Sequence, residues 1–141
     1  MAEETAGFEL IDHTADVGVV ATGRDLKEVF ANAARGMFSI IAELEGIEER
    51  VSREVEVTSD DLESLLIEWL NELLFIFDVE HILFGRFEIL ELEDRRLRAR
   101  VHGEKVDLRR HELKTGIKAA TYHMLKIEKD DVFRAKVIFD V

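Results

Sequence analysis

Apolar residues recur along this chain in two rhythms, and the change from one to the other marks out its elements. Leu26, Val29, Phe30, Ala33, Ala34, Met37, Phe38 and Ile41 fall at three- and four-residue spacing, the pattern of one helical face. Asp25-Leu26-Lys27-Glu28 opens that run as an Asp-led variant of the capping box. Phe30, Met37 and Phe38 are therefore expected in the core and not around a cofactor. A second helix is expected from Ser59-Asp60-Asp61 onward, with Leu62, Leu65, Leu66, Trp69, Leu70, Leu73, Leu74 and Phe77 on one stripe. Ile67, Phe75 and Ile76 widen the stripe. A helix this apolar around its circumference needs covering on two sides, by a sheet and by the first helix.

Elsewhere the period is two. Phe8 to Ile11 and Val17 to Ala21 read as short strands flanking an acid-rich turn. The polar stretch Glu43 to Arg53 leads into a strand where Arg53, Val55 and Val57 alternate with Glu54 and Glu56. Phe84 to Leu92 and Arg96 to Glu104 read as a hairpin about Glu93-Asp94-Arg95, with Leu97, Ala99 and Val101 inward and Arg96, Arg98 and Arg100 outward. After a charged, irregular segment from Asp107 to Thr115, Ile117 to Ile127 and Phe133 to Asp140 read as a last hairpin across Lys129-Asp130-Asp131. Phe133, Ala135, Val137 and Phe139 share one face, which puts Asp140 on the other. Two helices among about six or seven mainly antiparallel strands define an α+β class, the helices packed on a largely antiparallel or mixed sheet. One domain over residues 1–141 is expected, with residues 1–6 a flexible N-terminus.

Composition narrows the chemistry. The chain has no cysteine, which excludes disulfides, thiolate catalysis and cysteine-based zinc sites. No apolar run approaches the ~20 residues that span a bilayer, and the N-terminus is acidic where a secretory signal is basic, so no membrane association and a cytoplasmic location are expected. Acids outnumber bases 31 to 19, for a formal charge of −12, which disfavours direct tight binding of nucleic acid and suits a basic protein partner. The Arg96, Arg98, Arg100 ladder is accordingly read as a solvated face paired with Glu88, Glu91 and Glu93 across the hairpin. Ser39, Ser52, Ser59 and Ser64 lie in no Gly-x-Ser-x-Gly turn, and no Gly-Lys-Ser/Thr triplet marks a phosphate loop. His13, His81, His102, His111 and His123 lack the spacing of a zinc helix.

One constellation remains. Asp12-His13-Thr14-Ala15-Asp16 gathers ligand groups between two apolar runs, and Asp140 stands beside Val141, whose α-carboxylate is a further anionic oxygen. If the ends of the chain meet, these groups can hold a cation, and hard oxygen donors suit calcium, magnesium or manganese better than zinc. An acid at a strand end also serves as a turn former or a solvated charge.

From Asp12 to Gly18, Asp-His-Thr-Ala-Asp-Val-Gly, the sequence resembles the archease family, small acidic proteins that assist the RtcB-type tRNA-splicing RNA ligase. The resemblance continues through Asp25-Leu26-Lys27-Glu28-Val29-Phe30, similar to the family's Leu-Glu-Glu-Ala-Phe helix start, and through Asp60-Asp61-Leu62-Glu63-Ser64-Leu65-Leu66 and Gly103-Glu104-Lys105. It includes Ile117-Lys118-Ala119-Ala120-Thr121-Tyr122-His123, and the chain ends, as the family does, on an Asp followed by an aliphatic residue. The resemblance implies a non-enzymatic activator that promotes ligase guanylylation and repeated turnover, with a divalent cation bound by Asp16, Asp140 and the Val141 carboxylate. Asp12 and His13 would then stand behind the ligands or face the partner, and Lys118 and His123 would line the same surface. The resemblance extends to proteins reported to modulate an RNA methyltransferase in a chaperone-like way. A small metal-dependent hydrolase using Asp16 and Asp140 is a reading of another class, weakened by the lack of an evident general base.

Overall fold

The computed structural model describes residues 7–13 and 16–141, with Asp12, His13 and Asp16 described in their main chain alone. Residues 1–6, expected to be a flexible terminus, lie outside the described residues, as do Thr14 and Ala15. In chain order the elements are β1 (Phe8–His13), β2 (Asp16–Gly23), α1 (Leu26–Ile41), β3 (Val51–Thr58), α2 (Leu62–Glu80), β4 (Ile82–Glu93), β5 (Arg96–Lys105), β6 (Ala119–Lys129) and β7 (Phe133–Asp140). They form a four-stranded sheet ordered β1-β2-β7-β6 and a three-stranded sheet ordered β3-β5-β4. Every pairing is antiparallel.

Local chemistry starts and stops the helices. Asp25, extended at the α1 N-cap, accepts the Glu28 N–H at 2.9 Å. The Glu28 carboxylate reaches past the cap to the Arg24 N–H at 2.8 Å and to the Arg24 guanidinium, so the reciprocal half of the expected capping box closes one residue earlier than the motif prescribes. Asp61 caps α2 by accepting the Ser64 N–H at 2.8 Å, and α2 ends at His81 in the left-handed region, φ 58°. The indole N–H of Trp69 donates to the Phe30 carbonyl at 3.0 Å, a buried bond that ties α2 to α1 across 39 residues.

The helices lie between the two sheets and not against one. α1 packs on β2 of the larger sheet and β4 of the smaller, and α2 on β6 and β3. Phe30, Met37, Phe38, Leu65, Leu66, Trp69, Leu70 and Leu73 are all fully buried, as the helical stripes required. Phe38 meets the rings of Phe77, Phe84 and Phe87 with centroids 6.2, 5.8 and 5.8 Å away, joining both helices to β4. Phe75 departs from expectation: it is 60% exposed, because it shares the solvent stripe of Glu68, Glu72 and Val79 that neither covering layer reaches.

The strand expected from Ile117 to Ile127 begins only at Ala119 and breaks. Thr121 pairs with Ile138 and Lys126 with Lys136, so residues 122–125 oppose Val137 alone. Met124, at φ 56°, supplies the turn. Tyr-His-Met-Leu has the composition of a strand, which hid the excursion from the sequence. The strand after the Glu43 loop likewise starts earlier than read, at Val51.

Gly103 of β5 pairs with Phe84 where β4 shifts register, and any Cβ there would run into the Leu83 carbonyl. Gly103→Ala is therefore expected to lower unfolding free energy by about 1–3 kcal/mol, read from the urea midpoint at unchanged m. An unchanged midpoint would show that β4 gives way at no cost.

Candidate metal centre

The hairpin of β1 and β2 pairs His13 with Asp16, and β2 pairs Val17 with Phe139 of β7. Carrying the second register one residue further sets Asp16 across from Asp140, and Asp140 in turn pairs with Ala119 of β6. His13, Asp16, Asp140 and Ala119 thus form one main-chain row across all four strands at one end of the sheet, neighbours about 5 Å apart. Lys118 adjoins the row, its N–H donating to the Asp140 carbonyl at 2.8 Å. Asp140 and Val141 are exposed.

Of the residues singled out in the sequence, the fold therefore brings the main chains of Asp16, Asp140, Val141 and Lys118 to one sheet end, with His13 in the row and Asp12 one position inside it. His123 lies apart, exposed in the β6 excursion. Among the described residues no group of three or more histidines and carboxylates could hold a metal ion. The residue types whose main chains lie side by side here include two aspartates, and carboxylate oxygens are hard donors of the kind that suits calcium, magnesium or manganese.

Packing fixes the row. Val19 and Ala21 on β2 and Ala135, Val137 and Phe139 on β7 are buried on the side of α1. On the opposite face Ile138, 1% exposed, lies over Gly18, where a Cβ would fall 2.7 Å from the Ile138 side chain and 2.8 Å from the Val137 carbonyl. From α2, the Asn71 amide accepts the Ala120 N–H at 2.8 Å and donates to the Ala120 carbonyl at 3.3 Å, anchoring β6 one residue beyond the row.

The arginine ladder is neutralised within the fold, by one of the three glutamates expected and by two others. Glu91 does bind Arg96 at 2.9 Å and Arg98 at 3.2 Å. The others come from β3: Glu56 binds Arg96 at 2.9 Å and Glu54 binds Arg100 at 2.7 Å. Glu88 instead takes His102 at 2.6 Å, and Glu93 forms no ion pair among the described residues. β5 is the central strand of its sheet, so its arginines have acidic neighbours on both sides. Hydrogen bonds from Arg98 and Arg96 hold the Glu91 carboxyl below the usual carboxylate range.

A second charged cluster escaped the sequence reading. Glu104, 3% exposed, accepts the Glu48 N–H at 2.7 Å, the Arg110 guanidinium and His111 Nε2 at 3.0 Å. The Asp107 N–H donates to His111 Nδ1 at 2.9 Å, which assigns the proton to Nε2. These contacts clasp the 107–111 turn onto β5 beside a cavity of about 860 Å³ rimmed by Arg50, Lys105 and Arg109. Arg50 is bound to Glu48 at 2.6 Å and Arg109 to Asp107 at 3.1 Å, so this rim is self-satisfied. Gly103-Glu104-Lys105 stood in the sequence as part of the family resemblance with no role attached, because the clasp depends on a turn folding back over the end of a strand.

Fold and sheet end together define a small α+β protein with two helices between antiparallel sheets and with Asp16 and Asp140 set across from each other at one end of the larger sheet. Phe8, paired with Ala21, lies toward the other end, so the first described residues do not meet the last as expected. The chain belongs to the archease family: residues 8–141 match the model of the Archease protein family (MTH1598/TM1083). It is 44% identical over 139 residues to protein archease of Methanothermobacter thermautotrophicus, covering 96% of this chain and 99% of that one. It is 40% identical over 146 residues to protein archease of Methanosarcina acetivorans, covering 100% of both. The solution structure of Methanobacterium thermoautotrophicum protein 1598 superposes with a TM-score of 0.81 at 43% identity, covering 96% of this chain and 99% of that one. The crystal structure of an archease, described as a possible chaperone, from Thermotoga maritima gives a TM-score of 0.64 at 27% identity, covering 94% and 96%. Among the described residues no helix is long and apolar enough to cross a membrane.

Burial opposes ionisation of Glu104 and is outweighed by hydrogen bonds from the Glu48 N–H, Arg110 and His111, which hold its carboxyl at about 2 against an ordinary 4.5. The folded pKa lies below the unfolded one. The stabilisation is therefore present in full above about pH 4.5, declines below it, and is lost as pH falls through about 2. Glu104→Gln should cost roughly 2–3 kcal/mol at pH 7, with the difference from the parent shrinking steadily below about pH 4.5 and vanishing only once the pH is below about 2 in urea titrations. A loss independent of pH would assign the effect to packing instead.

Proposed function

We propose that this chain is a non-enzymatic activator of an RtcB-type tRNA-splicing RNA ligase, promoting its guanylylation and repeated turnover, with a divalent cation held by Asp16, Asp140 and the Val141 carboxylate. The supporting observation is the β2–β7 register, which sets the main chains of Asp16 and Asp140 across from each other in a chain matching the archease family over residues 8–141. A bound calcium, manganese or magnesium ion would supply concentrated positive charge for anionic oxygens. The chain's own residues do the rest: the two aspartates hold the ion, and Lys118, Asp12 and His13 surround it or face the partner. The overall charge of −12 repels RNA and steers the acidic sheet end toward a basic cleft, such as one that binds nucleotide phosphates. An RNA-contacting role for Arg96, Arg98 and Arg100 is disfavoured by their pairing with Glu54, Glu56 and Glu91.

A second reading is a chaperone-like modulator of an RNA methyltransferase, and the description of the Thermotoga maritima neighbour as a possible chaperone supports its chaperone-like part alone. A metal-dependent hydrolase would need a general base at the row, and the relatives' names describe no enzyme.

Asp140→Ala removes an anionic ligand while leaving the buried face of β7 intact, so the folded variant should lose more than about 100-fold in Mn²⁺ or Ca²⁺ affinity by calorimetry. Parent-like affinity would remove Asp140 from the site. With a cognate ligase, Asp16→Ala and Asp140→Ala should abolish stimulation of guanylylation, whereas glutamine at positions 96, 98 and 100 should leave most of it. The reverse pattern would sink the activator reading in favour of RNA contact, and stimulation of a methyltransferase alone would favour the second reading.

A further inference from the structure

Between Thr121 and Lys126 the β6 edge strand leaves the sheet, and the excursion carries Tyr122 at 57% exposure and Met124 at 47%. Met124 is in the left-handed region at φ 56°, where a side chain is disfavoured and glycine is not. The excursion is nevertheless anchored. The Thr121 hydroxyl donates to the Ile138 carbonyl at 2.8 Å and accepts the His123 N–H at 3.3 Å. Directly after it, Lys126 is set across from Lys136 of β7, like charges on one face where opposite charges would stabilise. Lys126 has Glu128 at 3.3 Å along its own strand, while Lys136 has no ion-pair partner among the described residues.

Exposed apolar side chains, a left-handed methionine and a like-charged pair each work against the free chain, and all three meet on one stretch of strand. Such features persist where another function uses them, and bulges re-aim side chains beside functional sites. We propose that this excursion is a protein-docking surface: Tyr122 and Met124 enter an apolar recess of the partner, and Lys126 and Lys136 receive carboxylates on its rim. Charge complementarity selects the occupant. On a chain of net charge −12, Lys136 beside the Lys126–Glu128 pair leaves a locally positive spot, which attracts an acidic rim that the rest of the surface repels and so fixes how the partner sits. Tyrosine and methionine are enriched at the apolar centres of such interfaces. Three residues of β6, about 10 Å of strand, separate Ala119 in the acid row from Tyr122, so one partner can meet both surfaces together.

The identity of the partner rests on the activator reading; the existence of the surface does not. Met124→Gly removes the backbone strain and Lys136→Glu removes the like-charge pair, so both free chains should unfold at the parent temperature or above it. Both should bind a cognate ligase at least about tenfold more weakly by interferometry, with Mn²⁺ affinity unchanged. Asp140→Ala should differ from both in its metal readout, losing the ion that the two surface variants keep. Parent-like ligase affinity in either surface variant, or a drop in the unfolding temperature of Met124→Gly, overturns the docking surface. Docking that weakens as expected in a chain that never stimulates the ligase overturns the activator reading alone. A parent chain that does not bind the ligase overturns both.

Discussion

The pairing of β2 with β7 is the constraint on which the rest depends. Alternate residues of both strands, Val19 and Ala21 with Ala135, Val137 and Phe139, are buried against α1, so a slip of one residue would turn that whole set to the opposite face. The same slip would uncouple Asp16 from Asp140. Gly18 narrows the choice further, since Ile138 and the Val137 carbonyl occupy the space above it in this register alone. Core packing at the middle of the sheet thereby sets which main chains lie side by side at its end.

The position of the helices explains how a chain of net charge −12 keeps so apolar an interior. With α1 and α2 enclosed between the sheets, Trp69 finds its one hydrogen-bond acceptor at Phe30, and the rings around Phe38 fill the space toward β4. Charge is displaced to the outer faces, where strand order decides how it is balanced. β5, placed centrally, draws glutamates from both neighbours onto its arginines, and the clasp at Glu104 closes the end of the same sheet.

Both helices, the Asp25 cap and the three hairpins were legible in the sequence because each is a local pattern: a 3.6-residue stripe, a cap three residues before an N–H, or alternation across a turn. Legibility stopped where distance in sequence mattered. Nothing in the Val55 or Leu97 alternation says that their strands form a separate sheet, and Phe75 could not be told from Ile76 without knowing which sectors of α2 are covered. Glu54 and Glu56 as partners of the ladder followed from strand order, not from spacing. The Thr121 to Lys126 excursion was hidden by residues that suit a regular strand equally well. At the candidate site, Asp16 and Asp140 stood out as acids at opposite ends of the chain, but only the register could set their main chains side by side.

The Asn71 amide reaches further than the anchoring of one strand. β6 is an outer strand of its sheet, and such strands offer open N–H and C=O groups to which another chain can add. By taking both main-chain groups of Ala120, Asn71 imitates the peptide of a missing neighbour and closes the rim beside the acid row. A cell crowded with copies of this protein then has one fewer template for strand-by-strand growth, and resistance to aggregation in this part of the molecule hangs on a single helical amide.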